Sequence, residues 1–195
     1  GDFYKDSRWY RGGYIEPQAE DVISYKEHVR SVVARYRDSA TILMWQLINE
    51  AESRTPQGQS DPEGLYDFAW EMSKFIRSLD NNHLISLGTI GTGQPGTQNE
   101  HFANLHRIPT VDIVEAHDYL YINSQWSNSP SNSVGAAFLT SLDLNKPFFI
   151  GEAGIRAGCP SCPSIEERVE LFDAKIRAAF DSGVDGYLLW KLNLL

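Results

Sequence analysis

The feature that most constrains the fold of this chain is an alternation of short apolar runs with amphipathic segments of helical period. The apolar runs have the length of strands and lie at 42–48, 84–88, 111–117, 147–152 and 186–190. The amphipathic segments lie at 20–37, 65–79, 101–106, 134–142 and 165–182, whereas residues 1–19 show no sustained period and predict a long loop. Because consecutive strands joined through a helix pair in parallel, the alternation predicts an α/β fold with about five parallel strands.

Two of the predicted strands end in a glutamate. The first run closes at Asn49 and Glu50, and the fourth closes at Glu152. A buried parallel strand delivers the residue at its carboxyl end to the rim of the sheet, where a substrate can reach it. Two carboxyl groups, one protonated and one ionised, about 5–5.5 Å apart, can cleave a glycosidic bond with retention. A structural salt bridge is the alternative role for each glutamate, but a carboxylate that closes so apolar a strand favours function.

Together with these glutamates, further residues at strand ends carry a resemblance to a known family. They are Asn49, His117, Tyr119 and Trp190. With them the sequence resembles the glycoside hydrolases of clan A, most closely family 5, the cellulase and β-mannanase family. The resemblance covers nearly all of this chain but only the later part of the family's barrel. It implies a partial TIM-type (β/α) barrel whose strands correspond to strands four to eight.

The resemblance also implies the catalytic roles. Glu50 corresponds to the general acid/base and Glu152 to the nucleophile, and Asn49 corresponds to the residue that holds the hydroxyl beside the reacting carbon. The implied function is a retaining glycoside hydrolase that cleaves β-1,4-linked glycans such as mannan or glucan by double displacement. The rival hypothesis is a partial barrel without turnover that acts as a carbohydrate-binding or scaffold fragment. An inverting enzyme is a third option.

Four more residues are candidates for sugar binding. By the resemblance, His117 and Tyr119 line the sugar site, Tyr119 hydrogen-bonds the nucleophile, and Trp190 is a stacking platform. Trp126 is a plausible further platform in the loop after the third predicted strand. Each has an ordinary structural alternative, because a histidine at a rim and tryptophans that cap a core or pack on a loop are common.

Other acidic and histidine residues do not predict a ligand site. Glu100, His101, His106 and Glu115 have no spacing that places them on one face with the glutamates, so we interpret them as surface or helix residues. No His, Asp and Glu cluster has the spacing of metal ligands. We therefore expect no metal and no cofactor.

Residues 1–195 contain no internal linker and predict a single, incomplete barrel domain. A closed barrel of this type has about eight strands and typically about 250 residues. We therefore expect N-terminal strands that are absent from this chain. A missing N-terminal segment or self-association would then cover the open sheet, although a genuine partial barrel is also conceivable.

Charge and cysteine content limit the partners and the compartment. The formal net charge is −9, with 17 basic against 26 acidic residues, which argues against nucleic-acid and anionic-membrane partners. No apolar run approaches membrane-spanning length and no signal-peptide pattern opens the chain. We expect an extracellular, secreted protein that binds a polysaccharide or oligosaccharide. Cys159 and Cys162 predict a local disulfide, with a redox pair as the weaker alternative.

Overall fold

The structure is a computed structural model that describes residues 6–119 and 133–191. The chain divides into two compact units, Gly1–Ile113 and Val114–Leu195. Each unit alternates helices with strands, and the strands within each unit pair in parallel. The predicted α/β class is therefore confirmed, and the described residues contain five strands.

The first unit contains a two-stranded parallel sheet. Its elements are α1 (Ser7–Tyr10), a 3-10 helix (Gly13–Ile15), α2 (Tyr25–Tyr36), β1 (Met44–Gln46), α3 (Pro62–Leu79), β2 (Leu84–Ser86) and α4 (Glu100–His106). Met44 of β1 is the register partner of Leu84 in β2. Pairing continues beyond the strand because the Leu47 N–H donates to the Ser86 carbonyl at 2.9 Å.

Helix α3 supplies much of the core of the first unit. Asp61 caps its first turn by accepting the Gly64 N–H, and a proline occupies the first helical position, as helix starts favour. Phe68, Met72 and Ile76 recur every fourth residue and are all buried. Burying an apolar side chain of this size stabilises the fold by roughly 1.5–3 kcal/mol.

The second unit contains a three-stranded parallel sheet in the order β3-β4-β5. Its elements are β3 (Val114–Asp118), α5 (Ser133–Leu144), β4 (Phe148–Ala153), α6 (Ile165–Asp181) and β5 (Gly186–Leu189). Every residue of β3 is buried. The register of β3 against β4 shifts between Ala116 and His117, and His117 thereby becomes the partner of Glu152.

Two predictions at the start of the chain were wrong in part. The segment 1–19 contains helix α1, where the Asp6 carboxylate accepts the Arg8 and Trp9 N–H groups as an N-cap. The helix predicted for 20–37 begins only at Tyr25, because Ser24 caps it by accepting the Glu27 N–H at 3.2 Å. The residues between 20 and 24 lie outside the helix.

The predicted disulfide is confirmed. Cys159 and Cys162 are bonded to each other, with their Cα atoms 5.0 Å apart, in the loop that precedes α6. The Cys162 N–H donates to the Cys159 carbonyl at 2.9 Å, so the bridge closes a hydrogen-bonded turn. Within the described residues, none of the helices combines enough length with enough apolar character to cross a bilayer.

Candidate active site

Glu50 lies a few residues beyond the carboxyl end of β1, in the first unit. It is half-buried, and its backbone N–H donates to the Gly88 carbonyl at 2.8 Å. Its φ is +46°, the left-handed region that a residue with a side chain seldom occupies. Asn49, the residue before it, is exposed. Strain of this kind in the backbone persists where the surroundings fix it, and it clusters at functional sites.

Gly88 makes room for the segment that carries Glu50. Its φ is +75°, and a Cβ atom at this position would lie 1.7 Å from the Ile48 carbonyl oxygen. A side chain there would therefore force the two strand ends apart. The glycine allows the backbone after β1 to approach the backbone after β2 closely enough for the hydrogen bond from Glu50.

Glu152 lies near the carboxyl end of β4, in the second unit, with two side chains of the β3 segment against it. Tyr119 donates its hydroxyl hydrogen to Glu152 Oε2 in a short hydrogen bond. His117 Nδ1 lies 3.7 Å from the same oxygen. The Glu152 side chain is 13% exposed, so its carboxyl group reaches solvent although Tyr119 and His117 contact it. This arrangement fixes the direction of one carboxylate oxygen.

Tyr119 can lie beside Glu152 because position 154 is glycine. A Cβ atom on Gly154 would come within 2.7 Å of the Tyr119 ring. The Gly154 N–H also donates to the Asp118 carbonyl at 3.2 Å, which extends the pairing of the two strands beyond their regular ends. The predicted contact between Tyr119 and the candidate nucleophile is therefore present in the structure.

Trp190 is the candidate stacking platform at the end of β5. Trp190 follows β5, its side chain is exposed, and its backbone N–H donates to the Ala153 carbonyl at 2.8 Å. That hydrogen bond sets Trp190 beside the end of the strand that carries Glu152. The peptide bond between Trp190 and Lys191 is cis. Trp126 lies outside the described residues.

Glu115 was interpreted wrongly from the sequence, because it is neither a surface residue nor a helix residue. Glu115 is the second residue of β3, is fully buried, and its Oε1 is 3.6 Å from His117 Nε2. His106 is a helix residue of α4, as predicted; it is buried, and its Nδ1 contacts the Phe102 carbonyl oxygen at 2.8 Å. Glu100 and His101 are helix residues, as predicted. The two-residue spacing of Glu115 and His117 could have indicated that they lie on one face, because alternate residues of a strand share a face.

Asp118 and Lys175 form a buried ion pair that the sequence analysis missed. The Lys175 ammonium group donates to Asp118 Oδ1 at 2.8 Å, and both side chains are almost completely buried. Burial raises the pKa of the nearby Tyr187 phenol, and the charge of Asp118 raises that pKa further. The residue between His117 and Tyr119 is thus anchored to helix α6.

A parallel α/β fold with carboxylates after the ends of its strands is typical of (β/α)-barrel enzymes. The family model described as Cellulase (glycosyl hydrolase family 5) matches residues 2–193. The chain belongs to that family. The resemblance stated from the sequence is therefore confirmed.

Two mannan endo-1,4-beta-mannosidases are similar to this chain in sequence. The chain is 33% identical over 161 residues to mannan endo-1,4-beta-mannosidase 7 of Arabidopsis thaliana, a match that covers 67% of this chain and 36% of the plant protein. It is 29% identical over 184 residues to mannan endo-1,4-beta-mannosidase A of Aspergillus aculeatus, covering 86% of this chain and 44% of the fungal protein. The chain thus spans less than half the length of these relatives.

A solved structure shows the same fold. The hyperthermostable endo-1,4-beta-D-mannanase of Thermotoga petrophila RKU-1 matches with a TM-score of 0.68 and 26% identity, over 94% of this chain and 56% of that enzyme. The endo-1,4-beta-mannanase of Rhizomucor miehei, at 20% identity and a TM-score of 0.66, shows the fold alone. The predicted partial TIM-type barrel is confirmed by these matches.

Within each unit, the structure brings some predicted site residues together. His117 and Tyr119 both contact Glu152 in the second unit, and Trp190 follows the neighbouring strand. Asn49 and Glu50 belong to the first unit.

Proposed function

We propose that this chain carries the catalytic residues of a retaining glycoside hydrolase that cleaves β-1,4-linked glycans, with mannan as the first substrate to test. The proposal is supported by the side chains that contact Glu152. Tyr119 and His117 contact the same Glu152 oxygen, so the carboxylate is oriented for attack. A nucleophile must be held in one direction relative to the atom that it attacks, and these contacts supply that orientation.

The proposed reaction has two steps. In the first, Glu152 attacks the anomeric carbon, the bond from that carbon to the glycosidic oxygen breaks, and Glu50 donates a proton to the departing oxygen. In the second, Glu50 removes a proton from water, the water oxygen attacks the anomeric carbon, and Glu152 is released. Two inversions give net retention. This assignment requires Glu50 and Glu152 to face one saccharide with their carboxyl groups about 5–5.5 Å apart.

The remaining site residues bind the sugar in this proposal. Asn49 holds the hydroxyl beside the reacting carbon, and its neutral amide adds no charge next to Glu50. Trp190 offers an exposed indole face after β5, and aromatic faces of this kind suit the apolar side of a sugar ring. Trp126 is proposed as a second stacking platform.

The names of the relatives support mannan as the polysaccharide partner. We further propose that both units belong to one incomplete barrel domain, which a single family match across residues 2–193 supports. A further N-terminal segment or a second copy of the chain would complete the barrel.

The disulfide between Cys159 and Cys162 supports an extracellular location, because disulfides persist in oxidising compartments. No cofactor and no metal is required by the two-glutamate reaction.

The test uses Glu50→Gln and Glu152→Gln, which keep side-chain size and remove the acid function. Release of reducing sugar from mannan and from cellulose is measured for each variant and for Glu170→Gln, an exposed control on α6. We expect both site variants to lose turnover and the control to keep it. Proton NMR of the first product should show the retained anomer. Turnover that survives both site substitutions would remove the enzyme proposal, and sugar binding without turnover would favour the binding-fragment alternative.

A further inference from the structure

The β3 segment carries a third functional group behind the two that contact Glu152. Glu115, His117 and Tyr119 occupy alternate positions, and the Glu115 carboxylate is fully buried. Glu115 Oε1 lies 3.6 Å from His117 Nε2, while His117 Nδ1 lies 3.7 Å from Glu152 Oε2. The His117 imidazole, itself fully buried, therefore has one carboxylate facing each of its nitrogens.

The neighbouring strand is shaped to accommodate the Glu115 carboxylate. A Cβ atom on Gly151 of β4 would lie 1.8 Å from Glu115 Oε1 and 2.7 Å from its carboxyl carbon. Even alanine at position 151 would therefore displace the carboxylate. Gly151 directly precedes Glu152, so the same short stretch of β4 supplies both the space for Glu115 and the candidate nucleophile.

The position of the Glu115 carboxylate has a chemical consequence for His117. A buried carboxylate is costly unless it has a hydrogen-bond donor or a positive charge beside it. An imidazole nitrogen that faces a carboxylate is favoured in its protonated form, and this contact also fixes the orientation of the ring. Nε2 of His117 is the nitrogen that faces Glu115.

We propose that Glu115 is a positioning residue that keeps the proton on Nε2 of His117 and holds the imidazole ring against Glu152. The inference rests on the proposed function, since it takes Glu152 as the nucleophile. Glu115 itself does not touch the substrate. It acts through His117, which links the buried carboxylate near the start of β3 to the reacting carboxylate near the end of β4.

The direct test is the protonation of His117, observed by long-range proton–nitrogen NMR correlation of the histidine side chains. The chain has five histidines, and a His117→Asn variant identifies the signal of His117. We expect a protonated Nε2 in the wild type and a change of tautomer in Glu115→Met, which has no acceptor. Glu115→Gln keeps an acceptor oxygen and should retain the protonated Nε2. Glu170→Gln is the exposed control. An unchanged His117 signal in Glu115→Met would overturn the proposal.

Kinetics provide a second readout that a purely structural role would not reproduce. We expect kcat/KM on mannan to fall roughly 10- to 100-fold in Glu115→Met, by analogy with the loss of a carboxylate that orients a metal-ligating histidine. In a His117→Ala background the same substitution should have little further effect, because Glu115 acts through His117. Equal losses in both backgrounds would contradict the inference. Should the chain show no turnover at all, the proposed function fails, whereas the NMR result still decides the role of Glu115.

Discussion

The ammonium group of Lys175 in α6 donates a 2.8 Å hydrogen bond to Asp118 Oδ1 at the end of β3, and both side chains are almost completely buried. Asp118 stands between two residues of the candidate site, His117 and Tyr119. A buried ion pair at this position ties the strand end that carries the site to the helix behind it. Because neither charge has access to bulk water, each charge is stabilised by the other.

Replacement of Lys175 by methionine tests this dependence. The substitution leaves the Asp118 carboxylate buried without its ammonium partner, so we expect the free energy of unfolding to fall by about 3–5 kcal/mol. Urea denaturation followed by circular dichroism measures the change. Asp118→Asn combined with Lys175→Met should be less destabilising than Lys175→Met alone, because no unpaired charge remains.

The same helix offers a matched control for the buried pair. Arg177 and Asp173 form an exposed ion pair at 2.9 Å, one turn apart on α6. Solvent screens such pairs, so Arg177→Met should leave the denaturation midpoint nearly unchanged. Equal effects of the two methionine substitutions would show that burial does not set the strength of the pair between Lys175 and Asp118.

Tyr119→Phe removes the hydroxyl that donates to Glu152 and keeps the ring beside Gly154. A hydrogen bond to a charged group contributes about 1.5–3 kcal/mol, so kcat/KM on mannan should fall roughly 10- to 100-fold. The melting temperature should change little, because Tyr119 is partly exposed. Tyr66→Phe, at an exposed tyrosine of α3, is the control. Equal activity in both variants would argue that the hydroxyl does not orient Glu152.

The parallel strands could be predicted because their signal is local. Apolar runs of strand length and helices of regular period are visible within each stretch of sequence, and Glu152 was recognisable because it closes such a run. Strand limits were less accurate. The first apolar run forms regular strand only over Met44–Gln46, and Glu50 lies beyond it in a left-handed conformation.

The buried ion pair of Asp118 and Lys175 could not be predicted because the two residues lie far apart along the chain. Alternation along β3 places Glu115 on one face with His117, but the space for its carboxylate depends on Gly151 in another strand. The early helix α1 was missed for a similar reason, since Tyr10 is buried against Phe68 of α3. Neither contact leaves a periodic pattern in its own segment.

Gly88→Ala should be one of the most destabilising glycine substitutions in the first unit. A Cβ atom there would meet the Ile48 carbonyl at 1.7 Å, so the backbone around Glu50 must move. Gly58 has a similar φ of +82° but nothing within 4 Å, so Gly58→Ala isolates the conformational cost of about 1–2 kcal/mol. We expect Gly88→Ala to exceed that cost in thermal denaturation and to lower turnover as well. Similar losses of stability in the two variants would contradict the steric argument.

The buried Asp80 carboxylate, directly after α3, accepts several hydrogen bonds in the first unit. Its Oδ2 accepts the Trp45 indole N–H at 2.6 Å and contacts His83 Nδ1 at 2.6 Å. Burial by itself would raise the pKa of Asp80, but these hydrogen bonds outweigh it and lower the pKa from 3.8 to about 2. The pKa of His83 is raised, first by the Ser39 carbonyl at Nε2 and then by Asp80.

The lowered pKa of Asp80 and the raised pKa of His83 predict opposite pH dependences for the unfolding free energies of variants at these two residues. The lowered pKa of Asp80 stabilises the fold by about 2 kcal/mol above pH 4, and this contribution disappears as the pH falls through 3.8 towards 2. The difference in unfolding free energy between wild type and Asp80→Asn should therefore shrink on acidification. The raised pKa of His83 stabilises the fold below pH 6.5, so the difference between wild type and His83→Gln should shrink as the pH rises above that value. Urea denaturation at a series of pH values measures both differences, and parallel trends in the two variants would contradict the assignment.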